Sequence, residues 1–371
     1  MKKSFAEILA AELAEANRRV LAKVPEWKCL EWVEIPDMLS AEQCSSSATA
    51  FYKAGLLKGC RTIADLTGGL GVDSWAFSQI AEKVWYNEVK NSLLEATEKN
   101  FKALGVTNVI FSLQYANDRI KSLPEVDAIY LDPARRDNVG KKVFLVEDCQ
   151  PDVLKLLPEL FKKAPKVLVK LSPMADLTML RERFGARLRE LHVVSLKGEV
   201  KELLLMLTRE DNPQTRIIAT NLKDSLAFLP EEERDATAVY PLDLNGLQYL
   251  FEPDPALTKA GAFKLICSRF GLTKLALSTH LYLSEKPSPF GKNYQILDVF
   301  DWGNTGFKEC AEKYPLAEVS ARNVPMSSDE LKARLGVRPS ADTHIFGVTV
   351  DIQIGPARKL IVARREIETK G

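Results

Sequence analysis

The chain has 371 residues, 46% of them hydrophobic and 27% charged, with a formal net charge of +1. This is the composition of a soluble globular protein of two or three domains, and its near-zero charge leaves any affinity for a polyanion to local patches. Six scattered cysteines (Cys29, Cys44, Cys60, Cys149, Cys267, Cys310) without a CxxC pair argue against zinc and against a disulfide framework, and fit a reducing cytoplasm.

Residues 4–23 have the spacing of an amphipathic helix, with Phe5, Ile8, Leu9, Leu13, Ala16 and Val20 near one face. Glu7, Glu12 and Glu15 rule out a signal peptide there, and no uncharged apolar run reaches membrane-spanning length. Ser40 with Gln43 resembles a capping box, and Ser45 to Ser47 offer alternative caps, for a helix running through Phe51, Tyr52 and Lys53 toward Gly59.

Thr62 to Leu66 is a β-prone run. It ends on Asp65 and then on Thr67, Gly68, Gly69 and Gly71, before a helical pattern of Trp75, Ala76, Phe77 and Ile80 beyond Asp73. Strand, glycine turn and helix is how a doubly wound sheet holds a nucleotide-like ligand, although a plain tight turn has the same look. Val84 to Glu88 is a second strand ending in an acid, Asn91 to Leu104 a helix, and Val109 to Ser112 a third strand leading into the polar turn Gln114 to Asp118. Ala128 to Leu131 is a wholly apolar fourth strand, as at the centre of a parallel sheet. It is followed by Asp132, Pro133, Ala134, Arg135 and Arg136. A helix with Leu154, Leu157 and Leu160 precedes a fifth strand, Val167 to Leu171. Another helix leads to His192–Leu196 and Leu203–Leu207, a hairpin suggesting one antiparallel edge strand.

Residues 210–213 mark a boundary, beyond which 214–298 mix short strands and helices and 299–371 form a further α/β piece, with strands at 345–354 and 359–363. From Ala256 to Ser284 there is no acid, yet Lys259, Lys264, Arg269 and Lys274 are present; Arg358, Lys359, Arg364 and Arg365 form a second cationic run. Three dispersed histidines (His192, His280, His344) do not make a metal site.

A nicotinamide site wants G-x-G-x-x-G, and here Ser74 stands where the third glycine belongs. Asp65 before the turn, Glu88 ending the second strand and Asp132-Pro133 ending the fourth fit S-adenosylmethionine (SAM) instead. Gly69 and Gly71 would face its methionine moiety, Glu88 its ribose and Asn117 its adenine, with Asp132 near the methyl group. With Tyr130 to Pro133 and Val169-Lys170, this pattern resembles class I SAM-dependent methyltransferases, and over residues 60–175 the small-subunit rRNA guanine-N2 methyltransferases. With Glu252 to Ala256 and Lys259 to Gly261 added, nearly the whole chain resembles a bacterial family of predicted RNA methyltransferases. The resemblance implies a doubly wound, mostly parallel seven-stranded methyltransferase sheet over 41–209. It also implies a helical segment over 1–40, a ferredoxin-like piece over 210–298 and a THUMP-like domain over 299–371, associated with RNA binding. Asp65, Thr67, Gly68, Gly69, Gly71, Asp73, Glu88, Asn117 and Asp132 become the expected cofactor residues.

Two departures stand out. Thr67 replaces the first glycine of the commonest turn, which suits a hydroxyl that reaches the ligand. Ala134-Arg135 replaces the aromatic that stacks on a flipped base, and Arg135 offers a planar guanidinium for stacking or for a phosphate. Pyrimidine-C5 methylation needs a cysteine nucleophile, and none stands at the ends of the fourth and fifth strands; Cys149 reads as a buried small hydrophobe. Direct transfer remains, in two versions. Asp132 and Pro133 hold an exocyclic amine, or Lys53, Asp132, Lys170 and Glu202 form a Lys-Asp-Lys-Glu set around a ribose 2′-OH, with a lysine of depressed pKa as base. The rRNA or tRNA contacts would be Arg135, Arg136, Lys259, Lys264, Arg269, Arg358, Arg364 and Arg365. A small-molecule or protein methyltransferase, or a non-catalytic RNA-binding module, would share the scaffold.

Overall fold

The computed structural model describes residues 5–135, 146–244, 248–340, 342–352 and 355–366, so Arg136 lies outside the described residues. The chain divides into two compact units, residues 1–194 with 201–217, and 195–200 with 218–371. Among the described residues no helix is long and apolar enough to cross a membrane.

The first unit opens with α1 (Phe5–Lys23), α2 (Met38–Gln43) and α3 (Ser47–Leu56). Ala16 and Val20 of α1 are buried, but Ile8 and Leu9 stay 45% exposed, so only the second half of the expected apolar face is covered. The helix expected from Ser40 onward is two helices. Asp37 caps α2 by accepting from the Ser40 N–H, and Ser46 caps α3 by accepting from Thr49. Contacts place the segment before residue 40 within this unit. Lys23 Nζ, at the end of α1, donates to the carbonyls of Ala41 and Cys44 at 3.0 and 3.1 Å.

Then strands and helices alternate: β1 (Thr62–Asp65), α4 (Val72–Ser78), β2 (Lys83–Glu88), α5 (Asn91–Ala103), β3 (Val109–Leu113), α6 (Ala116–Ser122), β4 (Ala128–Leu131), α7 (Val153–Lys163), β5 (Lys166–Leu171), α8 (Leu177–Phe184), β6 (Leu188–Leu196) and β7 (Glu199–Thr208). In the sheet they follow the order β3-β2-β1-β4-β5-β7-β6. β1 pairs in parallel with both β2 and β4, and β7 runs antiparallel to β5. The strand expected at the edge is therefore internal, lying between β5 and β6. The two-residue turn Lys197-Gly198, with φ of 55° and 79°, reverses the chain so tightly that β7 lies beside β6. Every residue of β4 is buried, as its unbroken apolar run requires at mid-sheet.

The chain passes into the second unit within β8 (Arg216–Thr220) and continues with β9 (Ser225–Phe228) and α9 (Pro230–Asp235). There follow β10 (Tyr249–Pro253), α10 (Pro255–Ala260), α11 (Leu265–Phe270), β11 (Thr273–Ala276), β12 (Thr279–Ser284) and β13 (Gly291–Asp301). The last elements are α12 (Asn304–Lys313), β14 (Glu318–Arg322), α13 (Ser328–Leu335), β15 (Thr343–Ile352) and β16 (Gly355–Arg365). Seven of these strands form one sheet in the order β11-β12-β10-β13-β16-β15-β14. The expected division at 298/299 falls inside β13, whose partners are β10 on one side and β16 on the other, so that boundary is corrected. One face is covered by α12 and α13, through Phe307, Cys310, Leu331 and Leu335 against Leu360 and Val362. On the other face Leu275, Leu281 and Leu283 share a core with Phe346, Val348 and Val350, so the sheet curls back on itself.

In the turn after β1, a Cβ added at Gly68 would lie 2.1 Å from the buried Tyr86 ring, whereas one added at Gly55 in α3 meets nothing within 4 Å. Gly68→Ala is expected to destabilise the protein by about 1–3 kcal/mol in denaturant unfolding, and Gly55→Ala to be neutral or to stabilise by up to about 1 kcal/mol. Equal effects would remove the packing account of the turn.

Candidate active site

The turn after β1 is clamped from both neighbouring strands. From β2, the Asn87 carbonyl accepts from Gly68 N–H at 2.8 Å, and Tyr86 Oη donates to the Gly69 carbonyl at 2.6 Å. From the β4 side, the Asp132 N–H donates to Thr67 Oγ1 at 2.6 Å. The Thr67 hydroxyl oxygen thus accepts one bond from the protein, and a hydroxyl keeps a donor beyond that. Gly69 and Gly71 take φ of 55° and 80°, in the left-handed region.

Above this turn, at the carboxyl ends of β1, β2 and β4, opens a cleft of about 1010 Å³. Thr67, Gly68, Gly69, Gly71, Asp73, Glu88, Asn117 and Asp132 all line it. Asp65 does not. It is fully buried beneath the turn, accepting from Ser74 Oγ at 2.6 Å and Thr67 N–H at 3.0 Å. Burial raises its carboxyl to about 7 against the pull of those two bonds. Asp65 thus shapes the turn rather than touching a ligand. The Glu88 carboxylate accepts from the N–H groups of Gly69, Val89 and Lys90 at 2.8, 2.7 and 2.9 Å. A carboxylate has about four acceptor positions, so Glu88 braces the turn and keeps capacity for a hydroxyl.

The four residues Lys53, Asp132, Lys170 and Glu202 join two contacts of one buried network. Lys53 Nζ, fully buried, lies 3.0 Å from Asp73 Oδ1 and 3.0 Å from Glu202 Oε2, and donates to Ser45 Oγ at 2.8 Å. Asp73 Oδ2 accepts from Ser45 Oγ and Tyr130 Oη at 2.9 and 2.8 Å. Lys170 Nζ bonds Asp132 Oδ2 at 2.5 Å. Neither Lys53, Lys170 nor Glu202 lines the cleft; Asp132 does, with 36% of its side chain exposed. Burial alone would pull the Lys170 ammonium down, but the charges of Asp132, Asp73 and Glu202 outweigh it and leave the pKa raised. Burial likewise raises Glu202, while at Asp73 the charges of Lys53 and Lys170 overcome burial and hold the carboxyl low. The expected lysine of depressed pKa is therefore not found at Lys170, which stays protonated as the partner of Asp132.

Sequence reasoning missed one wall of the cleft. Leu39, Ser40, Gln43, Cys44 and Ser45, from α2 and its link to α3, line it. The sequence marks Ser40 and Ser45 only as candidate caps, and no spacing rule ties them to β1. Burial pushes the Cys44 thiol up, so it stays protonated. Cys149 is fully buried, its strand segment paired with that of Arg135. Lys90, Lys121 and Lys155 rim the same cleft, all exposed.

Several expected RNA contacts are otherwise engaged. The acid-free stretch is met by acids of α9: Arg269 pairs with Glu232 at 2.5 Å, and the Lys264 N–H donates to Glu233 at 2.9 Å. Lys264 Nζ donates to the Arg234 carbonyl at 2.7 Å, and Lys259 is half-buried. Lys274 is buried and donates to the carbonyls of Ala276, Leu277 and Thr279. Strand alternation in β16 divides the second run, placing Arg358 and Arg364 on the face of Leu360 and Val362, and Arg365 on the opposite one; all three are exposed.

Residues 249–290 match a ferredoxin-like domain family. No curated protein sequence matches the chain. Among solved structures, a predicted methyltransferase from Porphyromonas gingivalis W83 is 31% identical, with 96% of this chain and 90% of that one covered and a TM-score of 0.84. An rRNA methylase from Streptococcus thermophilus is 17% identical over 44% of this chain and 93% of its own, with a TM-score of 0.32. A predicted methyltransferase of Streptococcus mutans, solved with S-adenosylhomocysteine (SAH), is 17% identical over 43% of this chain and 94% of its own, with a TM-score of 0.33.

Asp65 has a pKa of about 7 when folded against an ordinary 3.8. The folded protein thus keeps a proton that the unfolded chain has released, so this contribution is full below about pH 4 and is lost as pH rises toward 7. Asp65→Asn is expected to lessen the fall in unfolding free energy between those limits, measured by urea titrations at several pH values. A slope identical to wild type would show that Asp65 is not the group responsible.

Proposed function

The chain belongs to a family of SAM-dependent methyltransferases, and on that premise we propose that it methylates RNA at an exocyclic base amine such as guanine N2. The observation that carries this reading is Asp132. Its carboxylate stands in the cleft at the end of β4, held from behind by Lys170 at 2.5 Å.

The residues suit the donor. Glu88 has acceptor capacity for a ribose hydroxyl, Gly69 and Gly71 leave the turn bare, and Tyr115, Ala116 and Asn117 offer a wall for an adenine. SAM supplies an electrophilic methyl group on a sulfonium centre. The chain supplies alignment: Asp132 accepts an N–H of the target amine and aims the nitrogen lone pair, so no strong base is needed before transfer. The proton shed afterwards from the nitrogen passes to water at the open cleft. Lys170, protonated, holds the Asp132 carboxylate in place. A cleft of about 1010 Å³ is at the upper end for a small-molecule site and has room for an acceptor beside the donor.

RNA as acceptor is supported by the rim lysines Lys90, Lys121 and Lys155. Lys121 holds only an exposed pair with Asp118, worth little in water and readily exchanged for phosphate, while Lys155 extends an exposed ammonium from a helix-capping Asp152 that is itself largely buried. Arg358, Arg364 and Arg365 extend the proposal to the second unit, where a THUMP-like role belongs to the same reading.

Nucleoside mass spectrometry of RNA from cells with and without the gene is expected to show loss of N2-methylguanosine. An unchanged profile would remove the RNA reading, and loss of a 2′-O-methyl nucleoside would move it from base to ribose. In vitro, Asp132→Ala should lower transfer at least about a hundredfold while SAH affinity stays within about threefold. Joint replacement of Lys90 and Lys155 by Gln should weaken filter-bound RNA and flatten its salt dependence. Unaltered RNA affinity would exclude the rim.

A further inference from the structure

One wall of the cleft does not come from the sheet. It is the α2–α3 link, which contributes Cys44 and Ser45, and it is tied to the turn side by a closed ring of contacts. Lys53 Nζ donates to Ser45 Oγ at 2.8 Å, Ser45 Oγ donates to Asp73 Oδ2 at 2.9 Å, and Asp73 Oδ1 returns to Lys53 Nζ at 3.0 Å. Tyr130 Oη and Glu202 anchor the ring to β4 and β7. Taking the cleft as the donor site, we infer that Lys53 is a positioning residue that fixes the α2–α3 link as a wall of that site, acting through Ser45 and Asp73.

The physical grounds are burial and count. Lys53 is wholly buried; Ser45 and Glu202 accept hydrogen bonds from it, and Asp73 Oδ1 stands 3.0 Å away as an ion-pair partner. It does not line the cleft, so it touches no ligand. Asp73 and Ser45 do line it, and each holds the other where Lys53 puts it. Three groups in a ring have less freedom than three separate pairs, and a wall held in that way needs no reordering when the donor enters. The second support for the link is Lys23, which donates to the Ala41 and Cys44 carbonyls from the other side. The link is thus held from α1 and from α3 at once.

The test is calorimetric titration of SAH into the full-length protein, with amide hydrogen exchange over residues 38–46. The variants are Ser45→Ala and Lys53→Met. Ser45→Ala leaves both charge pairs intact, so it carries the test if Lys53→Met does not fold. In wild type, SAH should slow exchange across the link. In Ser45→Ala the link should exchange faster without SAH, and SAH should bind about five- to tenfold more weakly. A purely structural ring would lower the melting temperature and leave the affinity of the folded protein alone. Affinity within about twofold of wild type in a folded Ser45→Ala therefore overturns the inference. If wild type itself gives no heat with SAH, the donor-site reading fails first and the inference falls with it.

Discussion

A buried ammonium persists in a protein interior only when its charge is balanced and its protons are taken. Lys53 meets that condition through Asp73, Glu202 and Ser45. Those three residues come from the first turn of α4, from β7 and from the α2–α3 link, which nothing else in the sequence connects. Satisfying that cation therefore ties the N-terminal helices to the sheet, beside the Tyr52–His192 hydrogen bond and the Phe51–Trp75 ring contact. It also holds Asp73 just beyond the glycine turn. Breaking such a buried pair typically costs about 3–5 kcal/mol, so the arrangement is hard to relax once formed.

A second, partly buried cation sits near the first with a different task. Lys170 on β5 faces Asp132, which alone of the pair opens to the cleft. The two lysines share one field: Asp73 is held low by both, and Lys170 is raised by Asp132, Asp73 and Glu202. A set of residue types that looks from spacing like a ribose-methylating tetrad is, in three dimensions, one cleft-facing carboxylate with a charged backing.

The second unit teaches the opposite lesson about charge. A stretch of twenty-nine residues without an acid invites a phosphate, yet α9 brings Glu232 onto the Arg269 guanidinium and its Arg234 carbonyl onto the Lys264 ammonium. Linear charge counts ignore what the fold lays alongside. The same limit applies at β13, where a boundary expected at 298/299 cuts a strand bonded on both sides. Hydrogen-bonded neighbours along a sheet are far apart in sequence, so composition has no access to them.

The sequence by itself determined the alternation of strands and helices, because an apolar run such as Ala128 to Leu131 has no stable place except a buried strand. It also determined the turn, because Thr67, Gly68, Gly69 and Gly71 between a strand and a helix leave the backbone bare for close approach. Through Glu88 and Asp132 it marked two ends of the cleft. Only the tertiary structure decided which charged residues meet. It took Asp65 out of the cleft and beneath the turn, brought Ser45 and Cys44 in as a wall, and buried Lys53 away from any ligand. The reason is range: dihedral preference and burial periodicity act over a few neighbouring residues, whereas the partner of a buried charge is chosen by whatever element packs against it.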